Sequence, residues 1–327
     1  MAEFLTFDTD LTAVANAIRV KGGTSAQLIY PSGFVSAIQA IQTGITPKLV
    51  VTTTPGAAIT ATPAEGFKGT AGADGMCTLE LPKAGTWHVT AMANSVSNSQ
   101  HIVIGTQNML LPLYHDTFAN NTWEEIITVC RTGIAPDSWA VGDSKTMNIG
   151  GTAYQVDIIG KNHDEYADGS GTAPLTFQLH DCYSEAKQMY STNLSGLGWK
   201  NTDMRLAYLP AILALMPAEV QNGIRAVNKK TSEGGNSTTI ETVSDTLFLL
   251  SEVEIFGTAS SSVAGEGSQY DYYKAGNPKI KKREGVDEFW WERSSASGGM
   301  FCRVRANGQA GASNASNSLG VSFAFCF

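Results

Sequence analysis

The period of the apolar residues changes twice along the chain. Between Asp8 and Lys21, Leu11, Val14, Ala15 and Ile18 recur at helical spacing, and Gly22-Gly23 ends the run. A second amphipathic set follows Pro31, with Phe34, Val35, Ile38 and Ile41 on one side. Isolated helices this short are marginal, so residues 1–46 read as a helical module that packs on copies of itself or on a neighbouring subunit. From residue 47 to 108 the period falls to two, in short runs such as Lys48-Leu-Val-Val-Thr, Cys77-Thr-Leu-Glu-Leu and Trp87-His-Val-Thr-Ala. Pro-Gly, Ala-Asp-Gly and Lys-Ala-Gly signals separate these runs, and the segment reads as a small β-sandwich with Trp87 as its core anchor. His88 and His101 have no third partner in sequence and read as structural strand residues.

Residues 109–327 carry both periods. Thr122-Trp-Glu-Glu125 has the pattern of a capping box opening a helix through Ile126, Ile127, Val129 and Cys130. Strands are expected at 145–149 and 154–159, and helices at 184–190 and 202–216, the second stopping before Pro217. Residues 219–229 read as extended or looping back, and 257–276 as a Ser/Gly/Tyr-rich surface loop. In Phe301-Cys302-Arg303-Val304-Arg305, alternation puts Cys302 and Val304 on one side and Phe301, Arg303 and Arg305 on the other. Val321–Phe327 reads as a central core strand. Between them, 306–319 is almost wholly Asn, Ser, Ala, Gly and Gln, a loop that tight strands must hold. The predicted class is α+β: helical module 1–46, β-sandwich 47–108 and a large domain 109–327.

Composition narrows the function. Of 327 residues, 43% are apolar and only 16% charged, with a net charge of −8. Tracking a phosphate backbone needs clustered cations, so nucleic acid is not expected as a partner. Glycine, Ser, Thr, Asn and Ala are abundant, which suits turn-rich β domains working outside a cell. The five cysteines, Cys77, Cys130, Cys182, Cys302 and Cys326, form no C-x-x-C pair and read as free, mostly buried thiols. No signal peptide and no membrane-spanning run is read, so no membrane insertion is expected and a virion component released by lysis fits.

Two stretches carry family likenesses. Leu11–Ile38, through Arg19, Lys21-Gly22-Gly23-Thr24 and Pro31-Ser32-Gly33-Phe34, resembles a segment at the start of phage tail and minor structural proteins. Residues 47–108 resemble the immunoglobulin-like spacers of tail proteins. From about residue 115 on, the chain resembles proteins of the C-type-lectin or formylglycine-generating-enzyme fold, and more narrowly the variable proteins of diversity-generating retroelements. Trp139-Ala-Val-Gly-Asp143, Ile149-Gly-Gly-Thr-Ala-Tyr154, Phe289-Trp290-Trp291-Glu292-Arg293-Ser294 and Gly320-Val321-Ser322-Phe323-Ala324-Phe325 carry that likeness. It implies a phage receptor-binding protein on the virion, with a host-cell receptor (protein or glycan) and other tail subunits as partners and a homo-oligomer such as a trimer as its state.

The resemblance also implies a site. Randomised template adenines turn Asn codons into those for Ser, Gly, Ala, Arg, Asp or Tyr, a set that includes Arg303, Arg305, Asn307, Gly311, Ser313 and Asn314. Gln309 departs from it. The expected ligand contacts are Trp291, Arg293, Arg303, Arg305, Asn307, Gln309, Gly311, Ser313, Asn314 and Asn317. Two arginines on one strand face suit a carboxylate, a phosphate or a sugar-rich surface. Of Trp290 and Trp291, strand alternation allows only one to face a ligand, and Trp291 is the one chosen.

Two other functions find less support. The enzymatic relatives of this fold oxidise with closely spaced C-terminal cysteines, whereas Cys302 and Cys326 flank the loop and no histidine follows His180. No catalytic residue, no metal and no cofactor is therefore expected. A calcium-dependent lectin needs a carboxylate and amide cluster, and Glu-Pro-Asn, Gln-Pro-Asp and Trp-Asn-Asp are all missing. A fixed structural tail or baseplate component with the same domains stays open as the alternative.

Overall fold

A computed structural model describes residues 15–18, 48–62, 67–81, 85–104, 107–235 and 237–327. Of the predicted N-terminal module, 15–18 is helical with Ala15 and Ile18 buried, and the second amphipathic set lies outside the described residues. The chain divides into two compact units, 1–113 and 114–327.

The first unit holds two sheets. Its strands are β1 (Lys48–Thr52), β2 (Ala58–Thr62), β3 (Lys68–Thr70), β4 (Met76–Glu80), β5 (Gly85–Ala93), β6 (Val96–Ile104) and β7 (Gln107–Leu110). One sheet runs β4-β1-β7, with β1 antiparallel to β4 and parallel to β7; the other runs β3-β2-β5-β6, antiparallel throughout. Alternation drives the packing: Leu49, Val51, Ile59, Ala61, Leu79, Trp87 and Val89 are buried while the residues between them are not. His88 and His101 are cross-strand partners whose rings stack at 4.4 Å.

The second unit mixes helix and strand, so the α+β class holds. Helix α1 (Trp123–Cys130) starts at the expected capping box: Thr122 accepts from the Glu125 amide, and the Glu125 carboxylate accepts from the Thr122 amide. Strands β8 (Ser144–Ile149), β9 (Thr152–Lys161) and β10 (Leu175–Leu179) follow. The 204–213 stretch is helical as expected, opening with a π turn at Met204–Tyr208 and continuing as α2 (Leu209–Leu213). Where 219–229 was expected to be extended or to loop back, α3 (Ala218–Gly223) forms; Val220 drives it, buried where α3 meets α1. No helix forms at 184–190, because those backbone groups bond outward, Lys187 N to Leu319 O and Met189 N to Ala315 O.

Strands β11 (Val227–Ser232) and β12 (Ile240–Asp245) pair as a hairpin, and β13 (Leu247–Phe248) leads to α4 (Glu252–Phe256), capped by Ser251. The expected loop at 257–276 contains α5 (Asp271–Lys274), anchored by buried Tyr272 and Tyr273. Strands β14 (Lys281–Arg283), β15 (Val286–Glu288), β16 (Trp290–Ser295), β17 (Met300–Val304), β18 (Ala310–Asn314) and β19 (Ala324–Cys326) complete the unit. The main sheet runs β13-β19-β10-β9-β8, so the closing strand lies inside the sheet between β13 and β10, though only over 324–326 of the expected 321–327, with Phe325 and Phe327 against Phe177 and with Phe323 buried in the same core. All five cysteines are free and buried.

Candidate ligand-binding face

The expected loop 306–319 contains a strand, 310–314. Residues 310–314 pair with β17 in the sheet β16-β17-β18, register Phe301↔Ser313, Arg303↔Gly311 and Val304↔Ala310. Without large residues that stretch has no alternation to betray a strand, so partnering with β17 decides it. The tight turn is closed by Gly308 at φ +81° and by the Asn307 side chain, which accepts from the Gln309 amide.

The polar residues of this hairpin are graded in exposure. Arg305, Asn307, Gln309, Asn314 and Asn317 are exposed, Arg303 and Ser313 are half-buried, and Gly311 is buried. Arg303 is held in place: its guanidinium lies 4.1 Å from the Phe289 ring centroid and its Nε donates to the Ala312 carbonyl at 3.1 Å. Gly311 makes room for Arg305, since a Cβ there would meet the Arg305 Nε at 2.8 Å. Asn317 donates to the Ser313 hydroxyl at 2.8 Å. Sequence reasoning missed the neighbouring loop: Asn193 accepts from the Ser316 hydroxyl at 2.6 Å, so 191–197, with exposed Leu194 and Leu197, adjoins the hairpin.

Two expected contacts are corrected. Trp291 and Arg293 are both at 0% exposure, and so is Trp290. The alternation argument assumed one open face of β16, but the bulge between Trp291 and Ser295 and the covering segment 185–190 close both faces. Trp291 Nε1 donates to Lys187 O at 2.8 Å and Trp290 Nε1 to Lys279 O at 2.9 Å, which satisfies each indole inside the core.

Arg293 belongs to an interior ionic network that the sequence did not suggest. It grips both oxygens of Glu254 and donates to the carbonyls of Lys230, Leu249 and Glu266. Lys229, 2% exposed, bridges Asp164 Oδ1 at 2.6 Å and Glu254 Oε1 at 2.7 Å and donates to the Tyr270 hydroxyl at 3.0 Å. Burial pushes both carboxyls up, but these cations outweigh it: the Lys229 charge brings Asp164 to about 2, and Arg293 and Lys229 lower Glu254. His163, Asp164 and Glu254 lie close enough to share a cation, but the Lys229 ammonium already stands between the two carboxylates. A polar pocket of about 460 Å³ opens beside this network, with His163, Asn228, Lys230 and Ser268 in its walls.

A second buried group is unlike its neighbours. Neither oxygen of Glu292 has a hydrogen-bond partner, at 0% exposure. Burial, then the facing charges of Glu252 and Glu266, raises its pKa well above the usual carboxylate range. For Glu252, by contrast, burial pushes the pKa up, but hydrogen bonds from the amides of Ser260, Ser261 and Ser262 and the hydroxyls of Ser260 and Ser262 outweigh it and lower the pKa.

Residues 176–327 match the model of a family described as DUF6273, a domain of unknown function. That span runs from within β10 to residue 327 and includes the hairpin, Glu292, and the Lys229, Glu254 and Arg293 side of the ionic network, but not Asp164. No curated protein and no solved structure matches the chain.

The expected partners are corrected. A host-cell receptor, other tail subunits and a homo-oligomer or trimer rested on the N-terminal segment, of which only 15–18 is described, and on likenesses to which the matching family, a domain of unknown function, adds nothing. The finding that bears on that expectation is narrower: among the described residues no helix is long and apolar enough to cross a membrane.

Proposed function

We propose that the chain is a non-catalytic binding protein of a phage particle, with a last domain of C-type-lectin-like fold that presents a replaceable ligand face on the β17–β18 hairpin. In this reading the two-sheet first unit is an immunoglobulin-like spacer. One observation carries the proposal. Arg305, Asn307, Gln309 and Asn314, with Asn317 just beyond β18, are exposed, while Phe301, Cys302 and Val304 of the same hairpin are wholly buried. Side chains at the exposed positions can be exchanged without touching the core, which is what a diversified binding surface requires.

The alternative, a fixed structural component, has its own support in Arg303. Its contacts with Phe289 and Ala312 are internal, so part of the face serves the fold. Sequencing the 3′ end of the gene across a population separates the two. Substitutions concentrated at codons 305, 307, 309, 314 and 317 that spare Phe301, Val304 and Phe323 support a diversified face. A uniform segment with no near-repeat in the flanking DNA sinks that reading in favour of the fixed one.

A further inference from the structure

Lys229, Asp164 and Glu254 have the arrangement needed to join two of their side chains covalently. The Lys229 Nζ touches Asp164 Oδ1 at 2.6 Å and Glu254 Oε1 at 2.7 Å, all three residues at 2–3% exposure or less. The Phe248 ring centroid is 4.3 Å from the same nitrogen. Asp164 Oδ2 accepts two hydroxyls, from Thr176 at 2.6 Å and from Tyr270 at 2.8 Å. An amine is thus pressed against a carboxyl whose far oxygen carries two donors, with a second carboxylate at hand to move a proton. The geometry points to an intramolecular isopeptide bond between the Lys229 Nζ and the Asp164 Cγ.

The step is a condensation and needs no co-reactant. Lys229 passes one proton to Asp164 Oδ1, which turns the ion pair into an amine beside a neutral carboxyl, and the amine adds to Asp164 Cγ. The charge that gathers on Oδ2 is held by the Thr176 and Tyr270 hydroxyls. Glu254 Oε1 takes a second proton from the nitrogen and hands it to Oδ1, which then leaves as water. The C–N bond forms first and the C–O bond to Oδ1 breaks second, and the amide nitrogen keeps its last proton. Charge stays balanced throughout: the pair Lys229–Asp164 becomes neutral, and Glu254 keeps Arg293 as its partner. Two buried ions whose desolvation opposes folding are replaced by one neutral amide. The bond would tie β11 to the segment before β10 across 65 residues of chain, bracing the interior of the unit that carries the hairpin.

The test is the intact mass of the purified full-length chain, measured denatured after incubation near neutral pH. The expected mass is below the sequence mass by one water, and a digest contains the peptide with Asp164 joined to the one with Lys229. Glu254→Gln is expected to keep the full sequence mass. A wild-type chain at its full sequence mass overturns the proposal, whether or not the variant folds. A water loss that persists in Asp164→Ala overturns it as well, since the missing water then comes from elsewhere.

Discussion

The β17–β18 hairpin and the network around Lys229 are both rich in charge and hydrogen bonds, and they put them to opposite uses. Arg305 reaches over a glycine into solvent, whereas Arg293, twelve residues earlier, is sealed at 0% exposure with Glu254 and three carbonyls as partners. An exposed guanidinium interacts weakly with its own protein and is free to meet a ligand. A buried one is costly to bring in and costlier to leave unpaired. Residue type does not separate the two regions. Burial does, and burial is set by what the rest of the chain lays over each strand.

The largest expected effect of breaking this contrast is in the interior. Arg293→Ala removes the guanidinium that grips both oxygens of buried Glu254 and should cost about 3–5 kcal/mol, read by chemical denaturation. A loss under about 1 kcal/mol would mean that Arg293 is in contact with solvent after all. Phe323→Ala, an aromatic truncation at 0% exposure, should also cost about 3–5 kcal/mol.

Glu292 sharpens the comparison because it is buried without a partner. Glu292→Gln should stabilise the protein at neutral pH, and the gain should depend on pH. The folded protein holds this carboxyl neutral while the unfolded chain ionises it in the ordinary carboxylate range. The stability of the wild type relative to the variant is therefore fully present below that range. It is lost as pH rises, by about 1.4 kcal/mol per unit until the folded-state value is reached. A gap between the two proteins that does not change with pH would show that Glu292 is not held neutral.

The smallest effects belong to the face. Arg303→Ala removes the Phe289 stacking and the Ala312 hydrogen bond and should cost about 1 kcal/mol. Arg305→Ala and Asn307→Ala should stay within about 0.5 kcal/mol. Equal losses at 303 and 305 would undo the distinction drawn between them.

Local patterns were legible in the sequence wherever a residue's neighbours in the chain decide its conformation. The Thr122–Glu125 capping box, the alternation through β17 and the aromatic closing strand are of this kind. What stayed hidden depends on distant partners. Trp291 reads as facing a ligand until segment 185–190 covers it, and 310–314 reads as a loop until β17 supplies its hydrogen bonds. Lys229 is 65 residues from Asp164, and Arg293 is 39 from Glu254, so no spacing rule joins them. Arg305, Asn307, Gln309, Asn314 and Asn317 are exposed, as expected of polar side chains that cannot build a core.

A saturation library over residues 289–327, displayed and sorted for resistance to protease, tests most directly the idea of a replaceable face on a fixed frame. The account predicts that 305, 307, 309, 314 and 317 accept nearly every residue, while 290, 291, 293, 301, 304, 323 and 325 accept almost none. Intolerance at the five exposed positions equal to that of the frame would contradict it.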